Sequence, residues 1–116
     1  MNNYRTITLE IAVELPEHCI LTSDQPSKLT WELLAPGSGH LLDKGTPGFQ
    51  VLYPAMQLYI PNAAVRAGLE LWIYYCAEAD MLCMLERRSI KVDDLNASAI
   101  DGVVTLPVRI TGIGEA

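Results

Sequence analysis

Basic residues are scarce in this sequence. Eight Lys and Arg stand against fourteen Asp and Glu, and the formal net charge is −6. That balance argues against nucleic acid as a partner, because phosphates are bound by Lys and Arg that displace counterions. It disfavours anionic membrane surfaces for the same reason. Long apolar runs are missing as well. The strongly apolar stretch at residues 69–77 is interrupted by Glu70 and falls far short of the roughly 20 residues that span a bilayer. Residues 1–14 alternate in polarity and lack a basic start followed by an apolar run, so they read as a strand and not as a signal peptide. Taken as complete, the chain is expected in the cytoplasm. Cysteine is limited to Cys19, Cys76 and Cys83, too few for a disulfide-rich secreted scaffold, and an odd count that leaves one thiol over if two pair. The sequence shows no convincing amphipathic helix and no internal repeat. No phosphate-binding glycine loop and no nucleophile–base constellation is visible, so a self-sufficient enzyme is not expected. His18 and His40 lie far apart with no Ser or Asp placed to complete a triad, and both are expected in loops or at the surface.

What is present is the pattern of an all-β domain. Half the residues are apolar and 19% are charged, the balance of a folded globular chain. Residues 1–116 fit a single domain, whether alone or as a module of a longer protein. Ile7, Leu9, Ile11, Val13 and Leu15 alternate with Thr6, Thr8, Glu10 and Glu14, the period of a strand with one buried face, and Pro16 ends it. A short extended piece over 20–26 runs into a turn at Ser23-Asp24-Gln25-Pro26. Leu29, Trp31 and Leu33 mark a second strand over 28–34. Residues 35–48 are rich in Gly and Pro and read as loop, with at most a short extended piece around Leu41 and Leu42. Residues 49–60 are extended, with Pro54 demoting the middle to an edge or bulge. Residues 61–67 form a turn region with room for one helical turn. Residues 68–75 are the best central strand, with Leu69, Leu71, Ile73 and Tyr75 on one face and Trp72 and Tyr74 on the other. An antiparallel partner follows over 83–92. After a polar connection over 93–101, a last strand spans 102–110, where Pro107 marks an edge or bulge. This pattern predicts an immunoglobulin-like antiparallel β-sandwich of about seven strands.

The chemistry-bearing stretch is the hairpin in which Cys76 closes one strand and Cys83 opens the next. Neighbouring antiparallel strands bring such sulfurs within reach of a bond, which needs Cβ atoms roughly 3.5–4.5 Å apart. Spacing alone leaves three readings open. The pair is a structural disulfide or two buried thiols; or it cycles between dithiol and disulfide; or it joins His18, Cys19 or His40 around zinc. The last matches no compact zinc spacing, so no metal or other cofactor is expected. Glu78 and Asp80 in the loop disfavour a thiolate, and Arg87 and Arg88 lie too far along to offset them, so the pair suits a passive substrate of exchange better than a self-activated nucleophile. Cys19 reads as a core residue. The aromatics Trp72, Tyr74 and Tyr75, with Met81, Leu82 and Met84 around the loop, are candidates for a docking surface as well as for core packing.

The run Leu71-Trp72-Ile73-Tyr74-Tyr75-Cys76, followed after six residues by Cys83-Met84, resembles the C-terminal β-sandwich domain of NHL-repeat proteins that also carry a thioredoxin-like domain and an NHL β-propeller. Leu15-Pro16-Glu17-His18-Cys19-Ile20-Leu21 and Gln25-Pro26-Ser27 resemble the opening of that domain, and the likeness extends from about Ile7 to Ile110. More distantly the hairpin is similar to that of the N-terminal immunoglobulin-like domain of the bacterial thiol–disulfide interchange protein DsbD. There a Cys-Ala start, a short loop and a second Cys match Cys76-Ala77 through Cys83. The loop here is one residue longer, and no protective cap is identifiable. The resemblance implies a bacterial redox-linked interaction module in which Cys76 and Cys83 exchange electrons with a thioredoxin-like partner. The alternative is a purely structural sandwich that mediates interdomain or homodimer contacts.

Overall fold

The computed structural model describes residues 3–22, 26–80 and 82–111. Alternation sets the first element. Along β1 (Tyr4–Glu14), Ile7, Leu9, Ile11 and Val13 are buried while their neighbours are not, since successive strand side chains leave opposite faces of the sheet. The strand stops short of Pro16, whose carbonyl accepts a hydrogen bond from the Cys19 N–H at 3.2 Å to close a tight turn. His18 in that turn takes a left-handed φ of 62°. The chain continues as β2 (Cys19–Leu21), β3 (Ser27–Leu34), β4 (Leu41–Gly45), β5 (Gly48–Phe49), β6 (Ala55–Pro61), β7 (Arg66–Ala77), β8 (Cys83–Val92), the short helix α1 (Leu95–Ser98) and β9 (Val103–Arg109).

These strands form two sheets. One has the order β6-β1-β9. The other is built around β7, with β8 along one edge and β2 and β3 following each other along the opposite edge. On its far side β3 pairs with β5 at its start and with β4 at its end. The inner rows of both sheets meet in one core. Ile7, Leu9, Ile11, Leu58, Ile60 and Val104 come from the first sheet, and Leu29, Leu33, Leu69, Leu71, Ile73 and Tyr75 from the second. The molecule is therefore the all-β sandwich that the alternation predicts.

Several details depart from the expected layout. Among the described residues nine strands form instead of about seven, because the extended piece expected around Leu41 and Leu42 is the strand β4 and the short β5 follows it. Their pairing is made possible at Gly45, opposite Trp31. A Cβ at Gly45 would come within 2.7 Å of the Trp31 indole, so only glycine lets the ring lie across β4. The sandwich is also not purely antiparallel. β1 and β9, the first and last strands, pair parallel from Thr8↔Val103 to Glu14↔Arg109, a pairing no hairpin constrains. The helical turn found among the described residues falls in the polar connection at Leu95–Ser98 and not at 61–67. The Asp94 carboxylate caps it by accepting from the Ala97 N–H at 3.0 Å, and Leu95 is buried. Pro54 does interrupt its segment. β6 begins only at Ala55, while the carbonyls of Leu52 and Pro54 accept from Val13 and Ile11 at 2.9 and 3.0 Å. Pro107 sits in β9, which is an edge strand. Of the expected turn at Ser23-Asp24-Gln25-Pro26, all but Pro26 lies outside the described residues.

Candidate functional site at the cysteine hairpin

β7 and β8 pair without a register shift from Ala67↔Val92 to Cys76↔Cys83. The two sulfurs are bonded and the Cα atoms are 3.9 Å apart. One rung further, the Ala77 N–H donates to the Leu82 carbonyl at 2.9 Å. Residues 77 and 82 are thus a hydrogen-bonded pair, which makes Cys76 and Cys83 a non-hydrogen-bonded pair, the type whose side chains approach most closely. The loop acids have a conformational use. Asp80 accepts from the Leu82 N–H at 3.1 Å, an Asx turn that tightens the bend. The Glu78 N–H donates to the His18 carbonyl at 2.9 Å and ties the hairpin to the start of β2.

The two sulfurs occupy unequal environments. Cys76 follows the buried Tyr75 and, by alternation, lies on the outer face of the sheet, yet it is fully buried. Its cross-strand neighbours explain this, with Ile20 of β2 on one side and Cys83 of β8 on the other. Cys83 is exposed. On the same outer face the next rung pairs Tyr74 with Leu85, and the one after pairs Trp72 with Arg87 and Lys28. Ile20 is 42% exposed and Leu85 51%. The disulfide therefore lies within an apolar patch that includes half-buried Tyr74 and is bounded by Trp72. The Arg87 guanidinium lies 5.4 Å from the centroid of the Trp72 ring and 2.9 Å from the Glu70 carboxylate, closing the patch on that side with charge.

Tyr74 marks a splice in the sheet. Its N–H donates to the Ser27 hydroxyl at 3.0 Å, and its carbonyl accepts from the Thr22 N–H at 3.3 Å. These two bonds bridge the point where β2 ends and β3 begins, so β7 keeps partners on this edge.

The candidate docking residues divide. Trp72 and Tyr74 lie half-buried on the outer face, whereas exposed Leu82 pairs with Ala77 and by alternation leaves the opposite side from Cys83. Tyr75 is 1% exposed and belongs to the core, so its ring presents no surface to a partner. Met84 pairs with Tyr75 on that inner side and packs against the core edge. Met81 lies outside the described residues. Ile20 and Leu85 were not among the candidates. Leu85 shares the parity of Cys83 along β8 and was findable from alternation alone. Ile20 reaches the site only through the β2–β7 pairing, which has no local signature. Cys19 is a free, half-buried thiol packed against the core. It alternates with Ile20 and so faces away from the disulfide. His18 and His40 are both exposed. Among the described residues, no group of three or more His, Cys, Asp and Glu is arranged to hold a metal ion, and no helix is long and apolar enough to cross a membrane. In comparisons with known proteins, no family model and no curated protein matches the chain.

Proposed function

We propose that this domain is an interaction module whose Cys76–Cys83 disulfide exchanges electrons with a thioredoxin-like protein or domain docked on the surrounding apolar face. The carrying observation is the unequal access of the two sulfurs, exposed Cys83 bonded to buried Cys76, inside an apolar patch. Exchange proceeds by attack of a thiolate on one disulfide sulfur. A partner thiolate reaches Cys83, forms a mixed disulfide with it and breaks the Cys76–Cys83 bond. The Cys76 sulfur leaves as a thiolate and takes up a proton. A second partner thiolate then attacks the partner's own sulfur and releases Cys83. Two electrons have passed to this domain, and the partner is left as a disulfide. The reverse sequence returns them. Ile20, Tyr74 and Leu85 supply the contact that excludes water around the reacting sulfurs. The reading accords with the resemblance of Cys76-Ala77 through Cys83 to the cysteine hairpin of the DsbD N-terminal domain, proposed from the sequence.

The test is reduction of the oxidised domain by thioredoxin kept reduced by its reductase, read as free thiols against time under native conditions. Thioredoxin whose resolving cysteine is replaced by serine is expected to form a mixed disulfide at Cys83, identified by peptide mapping. Leu85→Asp should slow the reduction about tenfold or more, the effect of ~1.4 kcal/mol lost from docking, while thermal unfolding stays near that of the parent. An oxidised domain that resists thioredoxin while folded refutes the proposal. A second reading, the purely structural disulfide, is favoured by the complete burial of Cys76. It requires a reduction potential below about −300 mV, measurable by equilibration with glutathione or dithiothreitol buffers.

A further inference from the structure

Among the described residues the outer edge of β8, ten residues long, is open. Residues 77 and 82 form a hydrogen-bonded pair, so every second residue of β8 from Met84 onward turns its N–H and carbonyl towards β7. Leu85, Arg87, Ser89 and Lys91 turn theirs the other way. Among the described residues no strand pairs with β8 on that side. An open edge of this length invites another strand. The side chains restrict which one. Glu86 and Arg88 sit on the core-facing side of β8, with side chains 28% and 37% exposed, and form an ion pair with each other. Arg88 also donates to the Arg109 carbonyl at 3.4 Å, where β9 ends. An arbitrary apolar strand laid along this edge would leave those two charges facing apolar groups.

We infer that the occupant of this edge is β8 of a second copy of the chain, added antiparallel about a two-fold axis through Arg87. In that register Glu86 faces Arg88 of the partner subunit, and Arg88 faces the partner subunit's Glu86. Two reciprocal cross-strand ion pairs result, and opposite charges placed so stabilise the pairing. Arg87, Ser89 and Leu85 then form the hydrogen-bonded pairs, which agrees with the outward direction of their backbone groups. Met84 faces Ile90 of the partner subunit, joining half-buried apolar side chains that already pack against each core. Moving the axis by one residue sets Glu86 against Glu86 in one direction and Arg88 against Arg88 in the other. The charges thus reject the adjacent registers and select this one. Arg87 meets its own copy, but its guanidinium is drawn back onto Glu70 and over Trp72 of its own sheet. The assembly joins two sheets edge to edge and does not depend on the redox reading.

Sedimentation equilibrium of the oxidised domain over a range of loading concentrations tests this. The parent should be a concentration-dependent dimer. Glu86→Arg and Arg88→Glu should each weaken dimerisation about tenfold or more, since each turns both reciprocal pairs into like-charge contacts. The double swap should restore the parent's affinity. Ser89→Pro removes a backbone N–H that points away from β7, so it should abolish the dimer and leave the monomer folded by circular dichroism. A parent that stays monomeric to millimolar concentration overturns the inference. So does a double swap as weak as either single variant, or a dimer untouched by a folded Ser89→Pro.

Discussion

Ser27 is the buried polar residue among the described residues, 2% exposed, and its hydroxyl is the partner of the Tyr74 N–H. A strand residue normally finds its partner in the neighbouring strand. Tyr74 lies at the gap between the end of β2 and the start of β3, so a side chain takes over that duty. Ser27→Ala leaves the Tyr74 N–H unpaired in a part-buried sheet, which is expected to cost about 1–3 kcal/mol. Urea unfolding checks it, with the midpoint falling and the slope unchanged. The same scale distinguishes Tyr75 from Tyr74. Adjacent and chemically identical, they differ only in parity, and parity sends one ring into the core and leaves the other beside the disulfide.

At the scale of elements, pairing decides what each strand can do. β3 carries Trp31 across from Gly45 in β4, and the close approach of ring to backbone holds a strand that composition alone would leave as loop. The indole is rigid and cannot retreat as a flexible chain end would. Gly45→Ala is therefore expected to destabilise the domain by about 1–3 kcal/mol through overpacking, measured by chemical denaturation. A shift in the near-ultraviolet circular dichroism of Trp31 should accompany it. β8 shows the converse. Its inner edge is fully used by β7, and its outer edge is left with self-complementary charges.

At the scale of the molecule, the core is assembled from both sheets, and the disulfide closes only the last rung of one hairpin. Reduction should therefore leave the domain folded but less stable. In the loop-entropy model, opening a ring of about eight residues removes roughly 2.5 kcal/mol. Denaturant midpoints with and without reductant, with circular dichroism confirming the fold of the reduced form, check both halves of that statement. Much of this architecture was legible in the chain. Strict alternation at Ile7, Leu9, Ile11 and Val13 and at Leu69, Leu71, Ile73 and Tyr75 specifies strands and their buried rows, because a period of two admits one inward face. Cys76 and Cys83, at the end of one predicted strand and the start of the next with six residues between them, indicate a hairpin that brings the sulfurs within reach of each other. Both are local facts, written in neighbouring residues. Tertiary structure alone decided that Ile20 covers Cys76 and leaves Cys83 exposed, that β9 returns parallel to β1, and that Glu86 and Arg88 line an open edge. Each depends on which distant segments become neighbours, and that is settled by the packing of two sheets around one core.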